Sequence, residues 1–112
     1  MRKSKRDRPC PPFVRLEKGL ILKRREWWDL STRARSVYLL VKAKYNGANN
    51  GAIRLYYSES RKLQIRGLKS PKDISRAFAE LEREGWIRRT RFGGLYRFVC
   101  EYGLTGRFDT LL

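Results

Sequence analysis

Between Ser70 and Gly85 the chain specifies one element with few alternatives, a helix with a start, a buried stripe and a stop. Ser70 is a favoured N-cap, Pro71 fits the first helical position, and Asp73 falls in the first turn, where the helix dipole favours an acid. Ile74, Ala77, Phe78 and Leu81 recur at i, i+3, i+4 and i+7, which predicts one buried face. Gly85 is the natural residue for the left-handed turn just past the last helical carbonyls. Lys72, Ser75, Arg76 and Ala79 fall off that stripe, on a face that is small, polar and cationic. Trp86 and Ile87 return the chain to a core, and Arg88, Arg89, Arg91 and Arg97 then flank a Gly93-Gly94 turn, the pattern of a basic β-hairpin. A capped helix before a hairpin occurs in many domains, and surface arginines are usually only solvated, so charge and the neighbouring segments must decide.

Charge decides in favour of a polyanion. The chain has 112 residues, enough for one domain, and 27 Lys and Arg against 11 Asp and Glu give a net charge of +16. That excess destabilises a small domain by self-repulsion, and neutralisation by nucleic acid is the simplest reason to tolerate it. A membrane surface fits less well, because no basic segment pairs with a long apolar helical face. No apolar run is long enough to span a bilayer, and the charged N-terminus has no apolar core behind it. The expected location is therefore intracellular, cytoplasmic or nucleoid-associated. Histidine is absent, which removes histidine base chemistry, Ser-His-Asp and Cys-His catalysis and Cys/His zinc sites; no enzyme, metal or cofactor is expected. Cys10 reads as a free thiol in a charged tail and Cys100 as a small core residue, with a bridge between them the less favoured alternative.

Along the chain, residues 1–12 form a basic, proline-containing arm predicted to be disordered; it either tracks phosphates or a minor groove, or merely solubilises. Short helical pieces are predicted over Glu17–Lys23 and Arg25–Asp29, with at most one of Trp27 and Trp28 turned fully to the core. Ser31 caps a helix from Thr32 to Tyr45 with Ala34, Val37, Tyr38, Val41 and Tyr45 (or Lys44 by its stem) inside and Arg33, Arg35, Lys42 and Lys44 mostly outside. A turn-rich Asn46–Gly51 loop leads to a predicted strand, Ala52–Tyr56, which would make a three-stranded sheet with the hairpin. Ser58 begins a short helix from Glu59 to about Ile65 with Leu63 inward, and Arg66–Lys69 is the turn into the Ser70 helix. Two short helices joined through a glycine-containing turn make a helix-turn-helix. The whole order predicts an α+β winged helix-turn-helix over residues 13–105, a three-helix core with a small antiparallel sheet and a β-hairpin wing. Residues 106–112 are left as a C-terminal tail, whose Phe108, Leu111 and Leu112 either fold back on the core or meet a partner.

A family likeness supports that order. Trp28, Leu30-Ser31, Ala34, Val37-Tyr38-Leu39, Tyr45-Asn46-Gly47, Asn49-Asn50-Gly51 and Ile53 resemble the opening of a winged-helix group common in bacterial mobile elements, phages and plasmids. Ile74, Arg76-Ala77-Phe78, Glu80-Leu81-Glu82 and Gly85-Trp86-Ile87 are similar to its second half, and Tyr102-Gly103-Leu104-Thr105-Gly106 to its close. The likeness covers about residues 13–110. The chain departs from the pattern between Gln64 and Lys69, where the turn holds extra residues. The resemblance implies binding to DNA in transcription regulation or replication, without choosing the process.

The expected partner is double-stranded DNA, met by Lys69, Ser70, Lys72, Ser75 and Arg76 at the helix and by Arg89, Arg91 and Arg97 along the wing. Arg76 is the best placed for a bidentate contact, and the backbone N–H groups after Ser70 could hold a phosphate. With 6–10 phosphate contacts, affinity would fall about 10³–10⁵-fold between about 50 and about 200 mM salt. A homodimer is compatible with the chain, although no heptad announces one. Two alternatives stand beside this reading. One is an RNA-binding or ribosome-associated winged helix, stacking Tyr56, Tyr57, Phe92 or Tyr96 on bases. The other is a protein-interaction adaptor of a replication complex, using Glu80, Glu82 and Glu84, whose plainer role is a solvated face paired with Arg83.

Overall fold

The computed structural model describes residues 12–91 and 100–111. In chain order these form α1 (Lys18–Leu22), α2 (Arg25–Trp28), α3 (Thr32–Lys44), α4 (Tyr57–Leu63) and α5 (Pro71–Arg83), then strands β1 (Ile87–Arg91) and β2 (Glu101–Leu104). The predicted basic arm, apart from Pro12, lies outside the described residues with Cys10, and so do Phe92, the Gly93-Gly94 turn, Leu95, Tyr96, Arg97, Phe98 and Leu112.

Helix α5 forms where its local signals place it. The Ser70 hydroxyl accepts the Asp73 N–H at 3.3 Å, and Ile74, Ala77, Phe78 and Leu81 are all buried. At the other end Gly85 adopts φ +84°, the Gly85 N–H bonds the Glu82 carbonyl, and the Trp86 N–H reaches back to Leu81 at 2.9 Å. That pair of bonds is a Schellman stop, and it delivers Trp86 and Ile87 straight into the core. Helix α3 is built alike: the Ser31 hydroxyl accepts the Ala34 N–H at 3.2 Å, and Ala34, Val37, Tyr38 and Val41 are buried. Each buried Val, Leu, Ile or Phe side chain among these contributes about 1.5–3 kcal/mol.

Helix α3 packs on α5, and α5 on β1. Between them Trp27, Tyr38 and Trp86 meet edge to face at 5.3–5.6 Å, and Phe78 stacks on Tyr102 at 4.1 Å. Trp27 is buried while Trp28 is exposed, as two adjacent helical residues require. Strands β1 and β2 pair antiparallel, with Ile87 opposite Leu104, Arg89 opposite Tyr102 and Arg91 opposite Glu101. An irregularity at Thr90 breaks the register, and the Thr90 hydroxyl turns to the Gly51 carbonyl.

Four expectations need correction. Among the described residues the Ala52–Tyr56 strand is reduced to one bridge, Ile53 with Tyr102, and the sheet they form is two-stranded. The Asn50 side chain takes the next pairing position, accepting the Leu104 N–H at 2.7 Å and donating to its carbonyl at 3.2 Å. Helix α4 starts at Tyr57 rather than Glu59, because the Glu59 carboxylate accepts the N–H of the extended residue Tyr56 at 3.1 Å. Leu63 is 60 % exposed instead of inward: Gln64 adopts φ +51° and turns the chain, and Leu68 fills the core in its place.

The fourth correction concerns Lys42, which is only 4 % exposed. Residues 106–111 fold back across the domain, with Phe108 on Trp86 at 4.7 Å and Asp109 buried beneath α3. Asp109 accepts from the Lys42 ammonium at 2.5 Å and from the Tyr38 hydroxyl at 2.6 Å, while Lys42 also reaches the Leu111 carbonyl at 2.5 Å. Burial and the neighbouring carboxylate push the Tyr38 phenol far above its ordinary range, so it remains a proton donor to Asp109. The Thr110 N–H and hydroxyl both donate to Glu17 and hold its carboxyl below the usual value.

Candidate nucleic-acid interface

The periodicity that buries one side of α5 exposes the opposite side. Lys72, Arg76, Ala79 and Arg83 follow one another at spacings of four, three and four residues, and all are exposed. Ala79 keeps the middle of the stripe low, so a bulky surface can approach between the cations. Lys72 and Arg76 have no ion-pair partner among the described residues, and Arg83 meets only the exposed Glu84, at 3.2 Å.

Beside this stripe runs a groove of about 750 Å³. Arg33 of α3, Arg66 of the α4–α5 turn, and Arg76 and Arg83 of α5 line it, with Gly67 and Ala79 between them. Its one carboxylate is already engaged. Glu80 accepts the Ser31 N–H and hydroxyl, both at 2.7 Å, and so caps the start of α3 from α5. Gly67 is required twice over: it adopts φ +85°, and a Cβ there would stand 3.2 Å from the Arg33 side chain. Arg33 lies across the turn at that point, 3.5 Å from Asp73. Desolvation raises the Asp73 carboxyl, but the Lys69 N–H, Arg33 and the Ser70 cap together outweigh it and hold it below the ordinary aspartate value.

The sequence-predicted residues divide into two groups. Lys72, Ser75 and Arg76 are exposed on α5, and Lys69 is exposed in the turn before it. The backbone of Lys69 is structural, its N–H donating to Asp73 at 3.1 Å and its carbonyl accepting from Tyr57. Ser70 spends its hydroxyl on the cap. Pro71 has no N–H, so side chains and proline already satisfy much of the helix start. Arg89 is half-buried and bonded to Glu82 at 3.2 Å, on the sheet side of α5. Arg91 lies 3.7 Å from Glu101, which also accepts from Arg54 at 3.1 Å. These two arginines therefore belong to ion pairs along the sheet and not to the α5 stripe, and Arg97 lies outside the described residues.

Arg33, Arg66 and Arg83 are the cations that sequence reasoning left out. Arg83 was legible, since it continues the Lys72 and Arg76 spacing by two further turns. Arg33 and Arg66 carry no local signal; only the crossing of α3 over α5 and the turn at Gly67 bring them together. Among the described residues no helix is long and apolar enough to cross a membrane, and no group of three or more His, Cys, Asp or Glu side chains could hold a metal ion. No protein-family model, no curated protein and no solved structure matches the chain.

Proposed function

We propose that this is a non-enzymatic, double-stranded DNA-binding protein of the winged helix-turn-helix type, acting in transcription regulation or replication of a mobile element. The convergence of Arg33, Arg66, Arg76 and Arg83 round one groove, beside the open face of α5, carries this reading. Like charges gathered so closely repel one another, and an anion laid along the groove relieves that repulsion. The element order supports it too: α4, a glycine-containing turn and α5 follow the helix-turn-helix scheme, and α5 runs directly into an antiparallel strand pair. In this reading α5 enters the major groove, Arg76 reaches a base edge, and Lys72, Arg83, Arg33 and Arg66 meet flanking phosphates.

The test is a titration of a mixed-sequence duplex across a salt series. With Lys72, Arg83, Arg33 and Arg66 each neutralising one phosphate, affinity falls about 10²-fold between about 50 and about 200 mM salt. The wider loss expected from sequence needs phosphate contacts beyond these four, for which Lys69, exposed in the turn before α5, is available. A flat salt response overturns the reading, and preference for a structured RNA at matched salt redirects it.

A further inference from the structure

The corner between α1 and α2 exposes two large apolar side chains, Leu22 at 74 % and Trp28 at 55 %. Both line one cavity of about 350 Å³ together with Lys23, Arg24 and Arg25. Trp28 is not left loose there. Its indole N–H donates to the Ile21 carbonyl at 2.7 Å, and the Arg35 guanidinium stands 5.0 Å from the ring centre. Arg35 is itself held by the Trp28 and Leu30 carbonyls at 3.3 and 3.1 Å. The core does not call for this ring, because the adjacent Trp27 supplies the aromatic packing. An exposed aromatic fixed in one orientation beside an aliphatic neighbour has the form of a binding anchor, with its ordering cost already met by the fold.

The rim states what would cover it. Lys23, Arg24, Arg25 and Arg35 surround the apolar pair, and the one carboxylate among them, Asp29, stands 3.8 Å from Arg25 with both groups exposed. A second copy is a poor occupant, since each chain brings a net charge of +16. Leu22 offers nothing to a base, whereas a leucine or aromatic side chain fits the cavity. Arg33 of the groove and Arg35 of this corner are about 200° apart round α3, so the two surfaces face different directions. We infer that the Leu22–Trp28 corner docks an acidic, amphipathic segment of a partner protein, with an apolar anchor between Leu22 and Trp28 and carboxylates against Lys23, Arg24 and Arg25.

The experiment is a selection of short random peptides on the immobilised full-length protein, carried out with excess duplex DNA present. The expected winners are rich in Asp and Glu round a leucine or aromatic residue. They bind Trp28→Ala and Leu22→Ser at least about tenfold more weakly, and Arg76→Ala as tightly as the wild type. Circular dichroism checks that the variants fold; should either fail, Arg24→Glu with Arg25→Glu, at exposed positions, takes its place and is expected to lose the same peptides. Winners without acidic residues, or winners indifferent to these changes, overturn the inference. A parallel selection without DNA that yields such peptides when the selection with DNA yields none also overturns it and assigns the corner to nucleic acid. Because added DNA is inert if the protein does not bind it, failure of the DNA reading leaves this result interpretable.

Discussion

Lys42 and Arg76 lie on two helices that pack against each other, and each carries one positive charge, yet the fold treats them oppositely. Lys42 is sealed beneath the returning C-terminal segment, with Asp109 and the Leu111 carbonyl as partners and Tyr38 on the same carboxylate. Arg76 faces an open groove beside other arginines, with no ion-pair partner among the described residues. Burial with full pairing makes a cation part of the fold; exposure among like charges leaves it available to a ligand. The net charge is thus not spread evenly in its consequences, and each region can be tested against the other.

The largest effect is expected on the buried side. Asp109→Ala leaves the Lys42 ammonium uncompensated and should destabilise the protein by about 3–5 kcal/mol in urea unfolding, while the double change Lys42→Met with Asp109→Leu should recover most of that loss. Asp109→Ala with less than about 0.5 kcal/mol effect would show that the pair is no more than a surface contact. On the open side the ranking reverses. Arg76→Ala should leave unfolding within about 0.5 kcal/mol of the wild type but weaken duplex binding by about 1–3 kcal/mol, with relaxed discrimination between sites. Equal losses on every duplex would reduce Arg76 to a phosphate contact.

Ser31→Ala probes the join between the two regions. It removes the α3 cap and one of the two bonds to Glu80, and should cost about 1 kcal/mol of stability. Acid gives the smallest effect. The Asp73 carboxyl is held down in the folded state, so its contribution is fully present above its unfolded value, about 3.9, and is lost as pH falls through the lower folded value. Asp73→Asn should therefore flatten the loss of stability below about pH 4, and an unchanged acid limb would show that the Lys69, Ser70 and Arg33 contacts do not hold in solution.

The two regions also differ in how far they could be read from the chain. Helix α5, its outer face and its stop are encoded within Ser70–Trp86, where cap, stripe and glycine lie within a few turns of one another, so local rules find them. Lys42 stands at i+8 of the Ala34 stripe, on the edge of the buried face, but the partner that lets a lysine be buried there, Asp109, is 67 residues away and has no local signal. Ile53 and Leu55 alternate as a strand does, but among the described residues only Ile53 makes a bridge, and on its Gly51 side the Asn50 amide takes the Leu104 pairing groups. Arg33 and Arg66 escape for a similar reason: neither has a pattern of its own, and the groove exists only once α3 and α5 have crossed. What sequence locates is the helix that faces outward; what it misses is which distant cations gather beside it and which distant carboxylate removes a cation from the surface.

The most direct measurement compares duplex affinity across a salt series for the wild type and for the triple variant Arg66→Ala, Arg76→Ala, Arg83→Ala. Removal of these groove cations should weaken binding at every salt concentration and reduce the slope of log affinity against log salt by about two, one for each of the phosphate contacts Arg66 and Arg83. An unchanged affinity and slope in a folded triple variant would contradict the account, and would place any DNA contact somewhere other than the groove beside α5.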